Sequence, residues 1–197
     1  MIVDPQNDLL SPDGAMWDLI GDGIRECRVV EHLVEIRDAA RRAGLPVVYS
    51  PHEIARSDHR EWRRVNFVDR MLHERQVFDS RSSGTDWLPE LEPDADTIIC
   101  SPHKTLSGFW TSDIATQLHR RDVQTVVLAG MVANLCLESH LRDALECGFD
   151  VVVVRDATYG TTKEATAASL ATFDLLATEV VTTAHFVKAV DQLRARP

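Results

Sequence analysis

The feature that most constrains the fold is a regular exchange of two sequence rhythms. Short apolar, β-branched runs fall at residues 1–3, 46–50, 97–100, 125–129, 150–154 and, more weakly, 179–182. They are nearly continuous in apolar character rather than strictly alternating, which marks strands buried on both faces. Between them lie helical patterns at residues 29–43, 111–121, 135–147 and 164–176, with a last one over 184–194. Gly44 before Leu45-Pro46, and Gly148 before Phe149-Asp150, supply helix-stop chemistry. Strand–helix alternation of this kind predicts an α/β fold: a Rossmann-like, three-layer α/β/α domain around a central, mostly parallel six-stranded sheet. In such sheets ligands gather at the carboxyl ends of the strands. A residue that directly follows a strand is therefore the first place to look for chemistry.

Residues 51–93 break the rhythm. They are rich in Arg, His, Asp and Ser and hold Trp62 and Trp87, without repeat or low complexity. A long irregular excursion inside a compact domain reads as a lid or pocket wall rather than a linker. With 197 residues and 44% apolar content, the whole chain, 1–197, reads as one domain able to bury a core. A net charge of −10 argues against a nucleic-acid partner, whose phosphates need clustered Lys and Arg. No apolar run is long enough for a membrane span, and no secretory leader opens the chain. Cys27, Cys100, Cys136 and Cys147 form no C-x-x-C pair, so they read as reduced thiols and the cytoplasm as the compartment. Met1-Ile2-Val3 reads as the tail of a buried strand, as though clipped of earlier residues.

Three segments follow strands and carry reactive side chains. Asp4-Pro5-Gln6-Asn7-Asp8 is either an ordinary strand-exit turn or a place where Asp4 presents a carboxylate able to shuttle a proton. Lys104 precedes an apolar, aromatic stretch, so its ammonium could be held near a site and lower the pKa of a thiol. Cys136 opens a helix just after the fourth strand, where unpaired N–H groups and the helix dipole favour a thiolate. The alternative for any of these cysteines is inert packing, and Cys27, Cys100 and Cys147 are assigned to it. His140 shares a helix face with Cys136 but reads as structural. His52, His59 and His73 lack the tight spacing to carboxylates or thiolates that a metal site uses, so no metal is expected. Gly21-Asp22-Gly23 is no dinucleotide fingerprint, since Glu26 holds the third glycine place and no strand precedes it.

Asp4, Lys104 and Cys136, each after a different strand and in that order, resemble the isochorismatase-like cysteine hydrolase superfamily, which includes nicotinamidases, N-carbamoylsarcosine amidase and isochorismatases. The resemblance runs along nearly the whole chain. Its firmest pieces are Asp4 to Asp8, the loop from Lys104 to Ser107-Gly108-Phe109, and Gly130-Met131-Val132-Ala133-Asn134-Leu135-Cys136-Leu137-Glu138-Ser139. Arg142-Asp143-Ala144 and Val153-Val154-Arg155-Asp156-Ala157-Thr158 continue it. The resemblance implies an Asp4–Lys104–Cys136 triad. Asp4 takes the thiol proton, Lys104 steadies the thiolate, and Cys136 attacks a carbonyl to give a thioester that water hydrolyses. It also implies a cis peptide between Met131 and Val132, with the Val132 and Cys136 N–H groups as the oxyanion hole. Ser50 stands where nicotinamidases carry a metal-binding Asp, so neither metal nor nicotinamide specificity is carried over. True isochorismatases lack the cysteine, so Cys136 argues for C–N bond hydrolysis.

The expected activity is cofactor-free hydrolysis of a small amide, ureido or carbamoyl compound. The alternatives are isochorismatase-type vinyl-ether hydrolysis and a non-catalytic ligand-binding relative. Lys104 within reach of Asp4 and Cys136 favours catalysis, and Lys104 turned to bulk solvent favours the binding reading. Trp17, His52, Trp62, Phe109, Trp110 and Tyr159 are the expected pocket wall. A homodimer or homotetramer is the expected assembly, by analogy with the family.

Overall fold

The computed structural model describes residues 1–194, without the side chains of His59 and Arg194. Six parallel strands are ordered β3-β2-β1-β4-β5-β6: β1 Ile2–Val3, β2 Val48–Ser50, β3 Ile98–Ile99, β4 Thr125–Gly130, β5 Asp150–Val154 and β6 Glu179–Val181. Each strand falls on one of the six apolar runs, β4 passing the end of its run by one residue, Gly130. Within the strands, side chains alternate between two cores. Ile2, Tyr49, Val152 and Val154 face one, while Val3, Val48, Leu128 and Val153 face the other. Burial on both faces is why these runs lack a polar alternate residue.

Helices α1 Asn7–Leu10, α2 Trp17–Glu26 and α3 Val29–Arg42 follow β1. In α3, Val29, Leu33, Ile36 and Ala39 recur at helical spacing and are buried. Burying a side chain such as Leu33 contributes about 1.5–3 kcal/mol. The excursion after β2 is more regular than its composition suggests. It forms α4 Arg56–Glu61, α5 Phe67–Glu74 and two single 3₁₀ turns, Ser83–Thr85 and Pro89–Leu91. Asn66 caps α5: its side chain accepts from the Asp69 N–H, and Asp69 accepts from the Asn66 N–H in return. Then come α6 Gly108–Thr111, α7 Ile114–His119, α8 Glu138–Glu146 after a π turn at Ala133–Leu137, α9 Lys163–Leu176 and α10 Thr183–Arg194. Residues of α2 and α3, with Phe186 of α10, pack on one face of the sheet, and those of α7, α8 and α9 on the other. Among the described residues, no helix is long and apolar enough to cross a membrane.

The order of the strands reverses between β1 and β4, and both run out at the same place. Gly130 has a φ of +116°, and a Cβ there would come within 2.1 Å of the Val3 carbonyl oxygen. Only glycine lets the exit of β4 cross so close to the exit of β1.

Candidate active site

Asp4 leaves β1 with a φ of 51°, a left-handed conformation uncommon outside glycine and better tolerated by Asp than by most residues. The Asp4 N–H donates to the Ser50 carbonyl at 2.9 Å, and the Gln6 N–H donates to the Asp4 carbonyl at 2.8 Å. This turn points the Asp4 carboxylate into the sheet's carboxyl end, where it is fully buried. The rest of the motif builds the frame around it. The Gln6 amide donates to the carbonyls of His52 and Thr85, and its oxygen accepts from the His52 N–H at 2.7 Å. The Asp8 carboxylate accepts from the N–H groups of Ala15 and Phe78. One short segment thus ties the excursion to the strand ends.

Cys136 is buried in the π turn, and the Met131–Val132 peptide bond before it is cis. Burial first, then the charge of Asp4 and a hydrogen bond to it, push the thiol well above its ordinary pKa. The backbone N–H groups of Val132 and Cys136 oppose this, because they point at the sulfur. The helix-start thiolate expected from the sequence is therefore a protonated thiol at rest. Removal from water and a facing carboxylate outweigh the two N–H dipoles.

Lys104 does not join Asp4 and Cys136. Its Nζ donates to Asp58 Oδ2 of α4 at 2.5 Å, and its side chain is 41% exposed. The neighbour, His103, takes the place expected for Lys104. Its Nε2 lies 2.8 Å from Asp4 Oδ1, and both side chains are fully buried. The reason is strand phase. His103 forms a parallel bridge with His52 beyond the end of β3, and successive side chains in an extended segment point opposite ways. Two adjacent basic residues cannot both face the site. That phase is the signal in the sequence that selects His103 over Lys104.

The protonation of His103 follows from geometry. Nδ1 lies 2.6 Å from the Thr105 carbonyl, which can only accept, so Nδ1 carries a proton. A neutral ring would then turn an Nε2 lone pair toward the Asp4 carboxylate. The 2.8 Å contact therefore holds a second proton, shared between the two groups. Burial raises the Asp4 pKa, but the charge of His103, its hydrogen bond and weaker fields from His52 and His140 bring it below the usual carboxylate value. His52 is pushed down to about 3 and His140 to about 4, in each case by burial first and the charge of His103 second.

His140 acts on backbone. Its Nδ1 donates to the Cys136 carbonyl at 2.7 Å, while Nε2 accepts from Ser50 Oγ at 3.0 Å and from the Gly108 N–H at 3.1 Å. Cys100 is inert, with its thiol pushed up to about 12 by burial. Cys27 and Cys147 lie away from the site, at the ends of α2 and α8.

The ligand atoms of Asp4, His52 and His103 lie within 4.8 Å of one another, so this trio could hold a metal ion. Beyond the Cys136 thiol facing Asp4 and the Lys104 backbone near His52, Asp4 Oδ2 and both ring nitrogens of His52 have no close hydrogen-bond partner, as ligand atoms awaiting an ion would be. Ser50, at the position of the nicotinamidase Asp, is bonded to His140 instead. The His59 side chain lies outside the described residues, and His73 is on α5, outside the trio.

A cavity of about 20 Å³ opens against Asp4, Val132 and Cys136. Of the expected wall residues, none of Trp17, His52, Trp62, Phe109, Trp110 and Tyr159 lines it. Trp17 lies under Arg25 on α2, and Tyr159 packs in the core against Gly23. Phe109 turns its ring to His140 and Phe149, Trp110 is 83% exposed, and Trp62 ends α4. His52 stacks on Phe78 behind the wall, with ring centroids 4.3 Å apart. The wall is largely aliphatic instead, with Phe78 as its one aromatic ring among the described residues and Val68, Met71 and Leu72 supplied by α5. Their i, i+3, i+4 spacing was the signal in the sequence for a helix facing the site.

A family model described as an isochorismatase domain matches residues 1–185. Ureidoacrylate amidohydrolase RutB of Agrobacterium fabrum is 28% identical over 171 residues, covering 81% of this chain and 74% of its own length. The enzyme of the same name from Caulobacter segnis is 28% identical over 210 residues, covering 100% and 87%. Among solved structures, a cysteine hydrolase from Pseudomonas syringae superposes with a TM-score of 0.84 at 24% identity, covering 98% of this chain and 91% of its own. N-carbamoylsarcosine amidase from Thermoplasma acidophilum gives 0.70 at 22%, covering 92% and 94%. With a parallel six-stranded sheet of this topology and a family match over nearly its whole length, the chain belongs to the isochorismatase family of hydrolases.

Proposed function

We propose that this protein is a cysteine-dependent amidohydrolase acting on a small amide, ureido or carbamoyl compound through a thioester on Cys136. One observation carries the reading: a buried carboxylate faces the Cys136 thiol while backbone N–H groups of Val132 and Cys136 point at the same spot. As the substrate carbonyl approaches, Asp4 accepts the thiol proton and the sulfur attacks carbon. The N–H groups of Val132 and Cys136 receive the oxyanion. Collapse breaks the C–N bond, and the departing amine or ammonia takes the proton back from Asp4. Water then attacks the thioester with Asp4 as base, releasing the acid and restoring the thiol.

In this mechanism His103 does the work expected of Lys104. Sharing a proton with Asp4, it keeps the carboxylate able to accept another and supplies the positive charge next to it. The printed names of the relatives, a ureidoacrylate amidohydrolase and an N-carbamoylsarcosine amidase, fit cleavage of a C–N bond at a carbonyl. The test is ammonia or amine release from a panel of primary amides, ureas and carbamoyl compounds, with isochorismate included. Loss of release in Cys136→Ala, with a mass increase on Cys136 in the wild type during turnover, is the expected result. Unchanged release in Cys136→Ala removes the thiol from the reaction and returns the ether-hydrolysis reading, which needs none.

The unpartnered atoms favour a second reading, in which Asp4, His52 and His103 hold a divalent ion in place of the shared proton. Such an ion would polarise the carbonyl or acidify a bound water. The neutral state of His52 and the carbonyl behind His103 Nδ1 suit that use.

A further inference from the structure

The chamber beside Cys136 is lined by Leu9, Met16, Met71, Leu72, Phe78 and Leu106, among others, and its one charged side chain among the described residues is Asp4, an anion. At about 20 Å³ it has room for a single water, so a substrate enters by displacing part of this wall. Of the cations on adjoining segments, His103 is paired with Asp4, and Arg70 on α5 is exposed to solvent. Lys104 is bonded to Asp58, and Arg75 at the end of α5 to Asp18 and the Ala15 carbonyl. The polar atoms of a scissile amide have partners in Asp4 and in the Val132 and Cys136 N–H groups, but no side chain on this wall could neutralise an anion.

We infer that the substituent a substrate places in this chamber is uncharged and apolar, and that Met71 and Leu72 on α5 are specificity-determining residues that exclude a carboxylate there. The inference rests on Cys136 being the nucleophile. A carboxylate in the chamber loses its water, gains no partner and faces Asp4. A buried charge left without its partner costs enough to lower the rate by about 100-fold or more.

The test needs no substrate. Iodoacetamide and iodoacetate alkylate the same sulfur: an S–CH₂ bond forms, iodide leaves, and the thiol proton goes to solvent. They differ in one charge. Their rates at Cys136, followed on the Cys136 peptide by mass spectrometry, are each divided by the rate for N-acetylcysteine. The neutral reagent is expected to lead by about 100-fold or more. In Met71→Lys, whose side chain is only half-buried and can set an ammonium at the chamber mouth, the ratio is expected to fall at least tenfold. Met71→Gln, with no charge, is expected to keep the wild-type ratio. Equal labelling by both reagents overturns the apolar chamber and leaves Cys136 as the nucleophile. An unaltered ratio in Met71→Lys overturns the assignment to α5. Labelling by neither reagent overturns the cysteine mechanism itself, and the inference with it.

Discussion

Replacing His103 and Lys104 one at a time separates strand phase from motif spacing. Lys104 holds Asp58 at 2.5 Å with a side chain 41% exposed, and such pairs are worth about 0.2–1 kcal/mol. Even if all of that reached the transition state, Lys104→Met would slow turnover by no more than about fivefold. His103 is fully buried against Asp4, and a group that manages a proton in the reacting pair contributes about 10²–10⁴ in rate. His103→Gln, which keeps a similar size and an amide donor, should lose that much. It also removes the leading influence that lowers the Asp4 pKa and leaves burial, which raises it. A carboxylate works as a base only above its pKa, so the acid limb of the pH–rate profile should move to higher pH in His103→Gln and stay put in Lys104→Met. Initial rates of ammonia release, with a thermal unfolding midpoint for each variant, provide the measurement. A hundredfold loss in Lys104→Met beside near-normal turnover in His103→Gln would refute the assignment of the cation to His103.

His140→Ala should unfold at a markedly lower temperature, because the Cys136 carbonyl, the Gly108 N–H and the Ser50 hydroxyl all lose a buried partner. At about 1–3 kcal/mol for each unsatisfied group, a loss of at least 2 kcal/mol in denaturant unfolding is expected, and an unchanged midpoint would show that this clamp carries no weight. Metal analysis of the purified protein, with zinc titration monitored by calorimetry, decides the second reading of the Asp4–His52–His103 trio. Stoichiometric zinc that is lost in His52→Gln would support a metal centre, while absence of binding by the intact protein would leave the shared proton as the occupant.

The layers of this protein, and the positions of Asp4 and Cys136 at the ends of parallel strands, follow from the sequence by itself. Runs such as 125–129 and 150–154 read as doubly buried strands because burial on both faces leaves no polar alternate, and that is a local property. Asp4 and Cys136 were legible because each follows such a run, and parallel strands end at one edge. Residues 51–93 hid α4 and α5, since a polar composition masks a narrow apolar face such as Val68, Met71 and Leu72. Which of two adjacent basic residues faces Asp4 is settled in three dimensions, because the parallel pairing of β2 with β3, continued in the His52–His103 bridge, sets the phase of the segment that follows. Tertiary packing also makes the pocket wall largely aliphatic, with Phe78 as its one aromatic ring among the described residues. Aromatic residues near a motif in sequence, Phe109 and Tyr159 among them, packed into the cores between helix and sheet, where a large apolar ring removes the most surface from water.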